Sequence, residues 1–330
     1  MLCPKGINKA NGHQFYGWRG GELRLPREIM YLGPKTHLSP NDKWARRRYL
    51  LRYNVLQVLR ETRVQTRFCY RRREDFEDAF ALLYQRYYGA GLIPENSARL
   101  YLTPYQALPK SRICVARSRE TGEIMSTATL VLDSELGLPS DFIYKEEIDI
   151  LRREGRRLAE FTCLAAKNNY SPFHHHNGLF YVFRLLYRYA VSMGVTDIVI
   201  SINRKHSFFY EKILLFRPLG PEKVYHKLQN APAVLEHLDL TTAKERFRKA
   251  YEDFEEGQAF YSFFAERGQL NDLFELIKPV NMSASIFQEF YICRTNLWET
   301  MELPFKKFFG RYFFGSEFDQ RFSPAMVSNF

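Results

Sequence analysis

Hydrophobic and polar positions between residues 64 and 240 follow two different periodicities. Apolar residues at every position or every second position predict strands over 64–70, 112–117, 124–132, 157–166, 196–203, 223–228 and 233–238. Apolar residues at three- and four-residue spacing predict helices over 74–88, 145–154, 178–193 and 207–214. Because the central strands are apolar on both faces, the pattern predicts an α/β (α+β) fold with helices covering a mixed sheet.

The two ends of the chain differ from this middle region. Residues 1–63 form a basic N-terminal extension, rich in glycine and proline at first, with one helix predicted over 42–61. Residues 241–330 are rich in Phe and Tyr and predict a helical C-terminal extension, suited to a lid or a docking surface. We therefore expect one compact domain over 64–240 with an extension on either side.

The overall composition is that of a globular protein in a reducing compartment. Hydrophobic residues make up 45% of the chain and charged residues 26%. No apolar run is long enough to span a membrane, and the first residues do not resemble a signal peptide. The five cysteines are scattered, without a CxxC pair, which argues against a disulfide framework and a zinc site. We expect a cytoplasmic protein.

Positive charge is concentrated near the N-terminus. The formal net charge is +11, and residues 1–65 hold 13 Lys/Arg against 4 Asp/Glu, so they supply 13 − 4 = +9 of it. Nucleic acid, an anionic membrane surface and an acidic protein would each be attracted. Arginine mixed with aromatic residues over 67–73 keeps nucleic-acid binding without catalysis as an alternative, although no known nucleic-acid-binding motif is present.

Glu160 is the most informative residue of the central strands. If the strand alternates regularly, Leu158, Glu160, Thr162 and Leu164 share one face and Cys163 lies on the other. A carboxylate on an apolar face is costly unless it is paired or belongs to a site. Burial would raise its pKa toward the range of a general base, while a structural salt bridge explains it equally well.

Histidines and a cysteine offer weaker candidates. His174, His175 and His176 are adjacent and point in different directions without an acidic or Cys partner, so we expect no metal site. His206 precedes the helix predicted over 207–214, where it has either a functional role or a helix-capping role. Cys163 has no histidine near it in sequence, so an inert buried thiol is expected.

The segment from Asn203 to Gly220 introduces a resemblance to a known family. Its Phe209-Tyr210-Glu211-Lys212 stretch, followed by Phe216 and Gly220, resembles the last helix and the following strand of the GNAT N-acyltransferases. In that superfamily the corresponding tyrosine commonly protonates the departing thiolate. The resemblance therefore implies an acid role for Tyr210.

Segments on either side of this stretch narrow the resemblance. The stretch from Asp133 to Pro139, the pair Ala159-Glu160 and the stretch from Pro232 to Leu235 are similar to the long-chain N-acyl amino acid synthases, relatives of the homoserine-lactone autoinducer synthases. The similarity covers roughly 64–240. It implies the GNAT fold, with a mixed and mostly antiparallel sheet, and transfer of a fatty acyl group to an amine.

The donor is suggested by a departure from the GNAT pattern. Residues 167–178 lack the glycine-rich loop whose amides bind the pyrophosphate of acyl-CoA. The resemblance implies an acyl carrier protein as donor and partner. The missing loop agrees with this, because a carrier protein presents one phosphodiester and no pyrophosphate. Acyl-CoA is the other candidate donor, and no tightly bound cofactor is expected. Carrier proteins are acidic, and we expect docking on nearby arginines, namely Arg152, Arg153, Arg156 and Arg157.

The acceptor is suggested by a second departure. Autoinducer synthases have a strand motif resembling Glu-x-x-Arg-Phe, and Cys163 stands where that arginine would be. An amino acid or another small amine is therefore the expected acceptor, with an acyl-homoserine-lactone synthase as the alternative. A lipid product is also compatible with peripheral contact with a membrane through the basic helix.

The resemblance completes a set of expected site residues. Glu160 would take a proton from the amine, Tyr210 would give one to the thiolate, and His206 would assist. Phe180 and Phe183 either line an acyl tunnel or simply pack in the core. The expected substrate-binding residues are Asp133, Ser134, Thr162 and Asn203.

Overall fold

The computed structural model describes residue 46 and residues 64–167, 175–252, 254, 263–264, 275–276 and 282–315, with the backbone alone for 175–177. All of these residues belong to one compact unit, Leu38–Phe330. Apart from Arg46, the helix predicted over 42–61 lies outside the described residues. The same holds for His174 and for the side chains of His175 and His176.

A single mixed sheet forms the centre of the described region. Its strands pair in the order β1-β2-β3-β4-β5-β8-β6, and β7 pairs with β8. Only β4 and β5 run parallel among the described strand pairs. The predicted mixed sheet is therefore confirmed. The strands are β1 Val64–Phe68, β2 Arg112–Ser118, β3 Ile124–Leu132, β4 Leu158–Ala166, β5 Asp197–Ile202, β6 Arg217–Pro218, β7 Lys223–Tyr225 and β8 Ala231–Asp239.

Helices cover both faces of this sheet. The helices are α1 Arg73–Gly89, α2 Asp141–Arg153, α3 His175–Ser192, α4 Leu240–Tyr251, α5 Ala284–Phe287, α6 Leu297–Thr300 and α7 Leu303–Phe314. Short 3-10 turns span Pro104–Ala107 and Arg204–His206, and π-helical turns span Phe209–Ile213 and Gln288–Cys293. The helix predicted over 207–214 is thus a π-helical turn, which is wider than an α-helix.

The sheet separates two hydrophobic cores. The α3-side core contains residues such as Phe161, Phe180, Tyr189, Ile198 and Leu238. The α1-side core contains residues such as Phe80, Val131, Leu158, Val199 and Phe287. Neighbouring residues of one strand enter opposite cores because strand side chains alternate. This is why the central strands are apolar at nearly every position.

The C-terminal helices pack on the α1-side core. Phe287, Tyr291 and Phe309 are fully buried there together with residues of α1 and β3. The helical prediction for this region is confirmed over the described residues, whereas the domain boundary at 240 remains a prediction. In the described part of the chain no helix is both long and apolar enough to cross a bilayer.

Candidate active site

The sheet opens between its two parallel strands. β4 and β5 pair from Leu158 opposite Asp197 as far as Phe161 opposite Ile200. β4 then continues to Ala166 along β3, whereas β5 continues to Ile202 along β8. Backbone amides and carbonyls at this opening have no partner on the facing strand and are available to a ligand.

A β-bulge lies on β4 at the same place. Thr129 faces Thr162 and Thr127 faces Ala165, so β4 has one more residue than β3 over this stretch. Cys163 adopts a left-handed backbone conformation, with φ of 50°, which is unfavourable for a side chain with a Cβ. Bulges of this kind change the direction of side chains and often lie next to active sites.

The bulge corrects the predicted faces of β4. Leu158 and Cys163 both lie in the α1-side core, whereas Leu164 packs against the α3-side core. The prediction that Leu158 and Leu164 share a face, and that Cys163 lies opposite Glu160, is therefore wrong. The physical reason is that the additional residue reverses the alternation after Thr162.

Glu160 lies at the end of the parallel pairing, between Val131 of β3 and Val199 of β5. It is 2% exposed. The backbone N–H of Ser140 donates to Oε2 at 2.8 Å and the Ser140 hydroxyl donates to Oε1 at 2.8 Å. Burial raises the pKa of Glu160 to about 8, against a smaller lowering by these two hydrogen bonds. A carboxylate with a pKa near 8 can act as a general base that takes a proton from an amine.

Cys163 contributes a neutral thiol beside this carboxylate. Its Sγ lies 4.0 Å from Oγ1 of Thr103 and 3.9 Å from Oγ1 of Thr162. Burial raises the pKa of Cys163 to about 12, and the negative charge of Glu160 adds to the rise. The thiol is protonated at neutral pH, as expected of an inert cysteine.

Four tyrosines surround Glu160 and Cys163 on the same side of the sheet; we call Tyr87, Tyr101, Tyr105 and Tyr225 the tyrosine cluster. The rings of Tyr87 and Tyr101 stack at 4.9 Å, and the Tyr225 hydroxyl donates to the carbonyl of Pro139 at 3.3 Å. Burial, followed by the charge of Glu160, raises the pKa of Tyr105 and of Tyr225. Sequence patterns did not single out this cluster, because its members come from α1, β7 and the loop before β2.

Tyr210 belongs to the other core. It lies in the π-helical turn Phe209–Ile213, is 4% exposed, and its ring makes edge contacts with Phe183 at 6.2 Å and with Phe216 at 5.8 Å. Burial, and then the charge of Glu236, raises the pKa of Tyr210. Glu160 and Tyr210 therefore lie in the two cores that the sheet separates.

Glu236 is a second buried carboxylate that the sequence analysis missed. It is 1% exposed on β8, and neither carboxylate oxygen makes a well-formed hydrogen bond within the described residues. Burial raises the pKa of Glu236 to about 7, against a smaller lowering by the Ser207 side chain. The signal was present, since Glu236 stands in the apolar stretch from Val234 to Leu238 as Glu160 does in its own strand.

Asp133 is predicted to contact the substrate and Arg152 to contact the carrier protein. In the structure the two side chains form an ion pair with each other. Nε and Nη2 of Arg152 donate to both Asp133 oxygens at 2.7 and 2.8 Å, and Nη2 also donates to Asp141 at 2.6 Å. These ion pairs hold the loop that carries Ser140 beside Glu160. Ser134 lies in the same loop, where its Oγ accepts from the N–H of Leu136 at 3.3 Å.

The remaining predicted arginines divide into two groups. Arg156 is held by Asp197, and its Nη2 donates to Asp239 at 2.7 Å. Arg153 and Arg157 are exposed and hence accessible to a partner. The docking surface predicted from the sequence is thus available at two of its four residues.

The other predicted residues follow β5 or lie in α3. Asn203 accepts from the N–H of Lys205 at 3.1 Å and so caps the turn that contains His206. Burial, and then the charge of Lys205, lowers the pKa of His206 to about 4, so the ring is neutral at physiological pH. Phe180 and Phe183 are buried in the α3-side core, next to the turn of Tyr210.

A metal site was not expected from the sequence. Among the described residues no group of three or more His, Cys, Asp or Glu is arranged to hold a metal ion.

Comparisons with known proteins assign a family to this region. Residues 78–239 match the family model of the N-acyl amino acid synthase FeeM. A comparison of the sequence with curated proteins gave no match. The structure of FeeM, an N-acyl amino acid synthase from uncultured soil microbes, is 27% identical, with 56% of this chain and 94% of that chain covered and a TM-score of 0.47.

Two further structures are more distant. The AHL synthase LasI is 14% identical, with 55% and 92% of the two chains covered and a TM-score of 0.40. A putative N-acetyltransferase from Lactobacillus plantarum is 15% identical, with 54% and 99% covered and a TM-score of 0.36. The family match covers strands β2 to β8 and includes Glu160, the bulge and Tyr210. Residues 78–239 thus resemble the N-acyl amino acid synthase FeeM family, and the chain is an acyltransferase with a GNAT-like fold.

Proposed function

We propose that the chain transfers a long-chain fatty acyl group from an acyl carrier protein thioester to the amine of an amino acid or a similar small amine. Glu160 acts as the general base and Tyr210 as the general acid. The amine attacks the thioester carbonyl directly, so that the C–N bond forms as the C–S bond breaks. No covalent intermediate with the enzyme is involved.

One observation carries this proposal: a fully buried carboxylate lies where β4 and β5 separate. Glu160 has a pKa of about 8, so a substantial fraction is ionised at mildly alkaline pH, where it accepts a proton from an ammonium group. Free amide groups of β4 at the opening would orient the thioester carbonyl and stabilise the developing oxyanion. The family match supports acyl transfer to an amine as the reaction.

In this mechanism the thiolate leaving group lies on the α3 side of the sheet, opposite to Glu160. Tyr210 is buried, and its hydroxyl would donate to a thiolate arriving through the opening. The neutral His206 lies in the preceding turn and would assist as a hydrogen-bond donor. Phe180 and Phe183, beside this turn, would line the path of the acyl chain.

The donor assignment rests on charge and on the sequence between β4 and α3. Residues 167–178 lack a glycine-rich pyrophosphate loop, which favours a phosphopantetheine on a carrier protein over acyl-CoA. Arg153 at the end of α2 and Arg157 just before β4 are exposed, and the net charge of +11 favours association with an acidic protein. Acyl-CoA remains the competing donor in the experiment below.

The acceptor assignment rests on the tyrosine cluster. Tyr87, Tyr101 and Tyr105 pack on the same side of the sheet as Glu160, where their hydroxyls would bind the polar groups of a small amine. Their position on the side of Glu160 separates the acceptor from the acyl chain, which lies on the side of Tyr210. Thr162, at the bulge, lies on the same face of β4 as Glu160 and would contact the acceptor.

The experiment is an incubation of the full chain with acyl carrier protein thioesters of several lengths and a mixture of amino acids, followed by mass spectrometry of N-acyl products. A parallel reaction uses acyl-CoA. We expect product from the carrier protein and about 10²- to 10⁴-fold less with Glu160→Gln. Glu146→Gln, an exposed glutamate of α2, is the matched control and should leave the rate unchanged.

Two outcomes would contradict the proposal. If neither donor yields an N-acyl product, acyl transfer to small amines is not the reaction. If product forms and Glu160→Gln retains the full rate, Glu160 is not the base.

A further inference from the structure

The C-terminal helices, α5 to α7, lie outside the segment that matches the family. Within the described residues they bury large aromatic side chains against α1. Phe290 and Tyr291 both meet Phe80 of α1 edge-on, with ring centroids 5.4 and 6.4 Å apart. Because a buried Phe stabilises by about 2 kcal/mol or more, these contacts attach the helices firmly to the family domain.

Ion pairs at the rim add to this attachment. Arg294 donates to Glu77 of α1 at 2.7 Å. Lys227, which follows β7, pairs with Glu302 at 3.0 Å. The C-terminal helices are therefore held on both sides of the α1-side core, where Glu160 lies.

Two of their side chains reach the loop that precedes β2. The Tyr291 hydroxyl donates to the carbonyl of Thr103 at 3.1 Å. The ring of Phe305 meets the ring of Tyr105 edge-on, with centroids 5.0 Å apart. Tyr291 is fully buried, so its hydrogen bond is shielded from water.

The same loop contacts the candidate active site on its other side. The Thr103 hydroxyl lies 4.0 Å from Sγ of Cys163, at the bulge. Gln106 donates to Oγ1 of Thr129 at 3.2 Å, and Thr129 pairs with Thr162 across the strands. The segment 101–106 therefore lies between the C-terminal helices and the bulge of β4, and it supplies two members of the tyrosine cluster.

We propose that Tyr291 and Phe305 are positioning residues for acceptor binding, acting through the loop 101–106. This inference rests on the proposed function, in which the acceptor amine binds among the tyrosine cluster. A loop held in its bound geometry loses less conformational entropy when the acceptor binds, so its affinity is higher. The acyl chain of the donor lies on the other side of the sheet, where these helices make no described contact, so we expect the donor KM to change much less than the acceptor KM.

The test separates the two Michaelis constants. Tyr291→Phe removes one buried hydrogen bond and keeps the ring, so we expect the KM for the acceptor amino acid to rise about fivefold. The KM for the acyl carrier protein and kcat should stay within about twofold. Tyr189→Phe is the matched control, because its hydroxyl donates to the Lys110 carbonyl at 3.0 Å from the opposite core; it should alter neither KM.

A second pair of variants guards against a simple loss of folding. Phe305→Leu removes the contact with Tyr105, and Phe308→Leu changes a half-buried ring of the same helix that contacts Phe309 and Tyr312. Thermal unfolding checks that both variants are folded. We expect the acceptor KM to rise in Phe305→Leu and to stay unchanged in Phe308→Leu.

The outcomes distinguish this inference from the proposed function. Acyl transfer with an unchanged acceptor KM in Tyr291→Phe and Phe305→Leu, or with an equal rise in the donor KM, overturns the inference and leaves the function intact. Absence of transfer by the unaltered chain overturns both.

Discussion

Ser140 and Glu160 show at the scale of single residues how the fold controls a proton. A carboxylate that is 2% exposed would be costly as an ion, yet two hydrogen bonds from Ser140 partly compensate for the lost water. The balance gives a pKa of about 8 rather than a permanently neutral acid. Ser140 is in turn positioned by the loop that Arg152 clamps.

Ser140→Ala tests this balance. The variant removes the hydroxyl that donates to Oε1 and keeps the backbone donor, so the pKa of Glu160 should rise above about 8, by about one unit. The rate of acyl transfer, which requires ionised Glu160, should then reach half of its maximum at a correspondingly higher pH. The measurement is kcat/KM against pH.

A distant serine provides the control for that measurement. Ser118→Ala changes a hydroxyl that accepts from turn amides at 3.2 Å in the β2–β3 hairpin, so its profile should match that of the unaltered chain. An identical midpoint in Ser140→Ala would show that Glu160 does not govern the pH dependence.

At the scale of elements, a glycine allows α3 to pack closely against β3 beside the opening. Gly178 in α3 has no room for a side chain, because a Cβ there would lie 2.6 Å from Oγ of Ser126. The helix thus approaches the sheet closely at its first turns. This approach brings Phe180 and Phe183 against the turn of Tyr210.

Gly178→Ala should therefore destabilise the chain by about 1–3 kcal/mol, since overpacking forces helix and strand apart. Ser126→Ala removes the nearest atom and leaves contacts at 3.2 and 3.4 Å. The double variant should recover part of the loss in a denaturant-unfolding cycle. Strict additivity of the two single changes would mean that the residues do not compete for this space.

At the scale of the whole molecule, buried carboxylates set the pH range in which the chain is stable. Glu160 and Glu236 have pKa values raised to about 8 and about 7, so the stability that their neutral forms supply is lost as pH rises through these values. Asp239 has a pKa lowered to about 2, by Thr241 and Arg156 against an opposing rise from burial. Its contribution is lost only as pH falls toward 2, so we expect maximal stability in mildly acidic solution.

Glu236→Gln should reduce the loss of stability at alkaline pH. Between pH 5.5 and pH 8.5 the ionisation of Glu236 lowers the free energy of unfolding by about 2 kcal/mol. This value follows from the 1.5 pH units between pH 5.5 and the pKa of about 7. The difference in unfolding free energy between the two pH values should shrink by that amount in the variant, as measured by urea unfolding. Glu146→Gln, on the surface, should keep the full difference. An equal pH dependence in both variants would contradict a buried, titrating Glu236.

Much of the fold followed from local patterns. The β2–β3 hairpin was predicted over 112–117 and 124–132 and is observed over Arg112–Ser118 and Ile124–Leu132. Short strands and turns were less predictable. β7 ends at Tyr225 instead of 228, since the following turn depends on left-handed residues at Gln229 and Asn230 that periodicity does not register.

The sequence by itself determined the mixed sheet, the family resemblance and the choice of Glu160, because apolar periodicity and a carboxylate in an apolar strand are local properties. Only the tertiary structure decided which groups meet Glu160. The bulge at Cys163 moved that residue to the side of Glu160, and chain segments far apart in sequence supplied Ser140 and the tyrosine cluster. These contacts depend on strand register and on helix packing, which arise from the whole core rather than from any one segment.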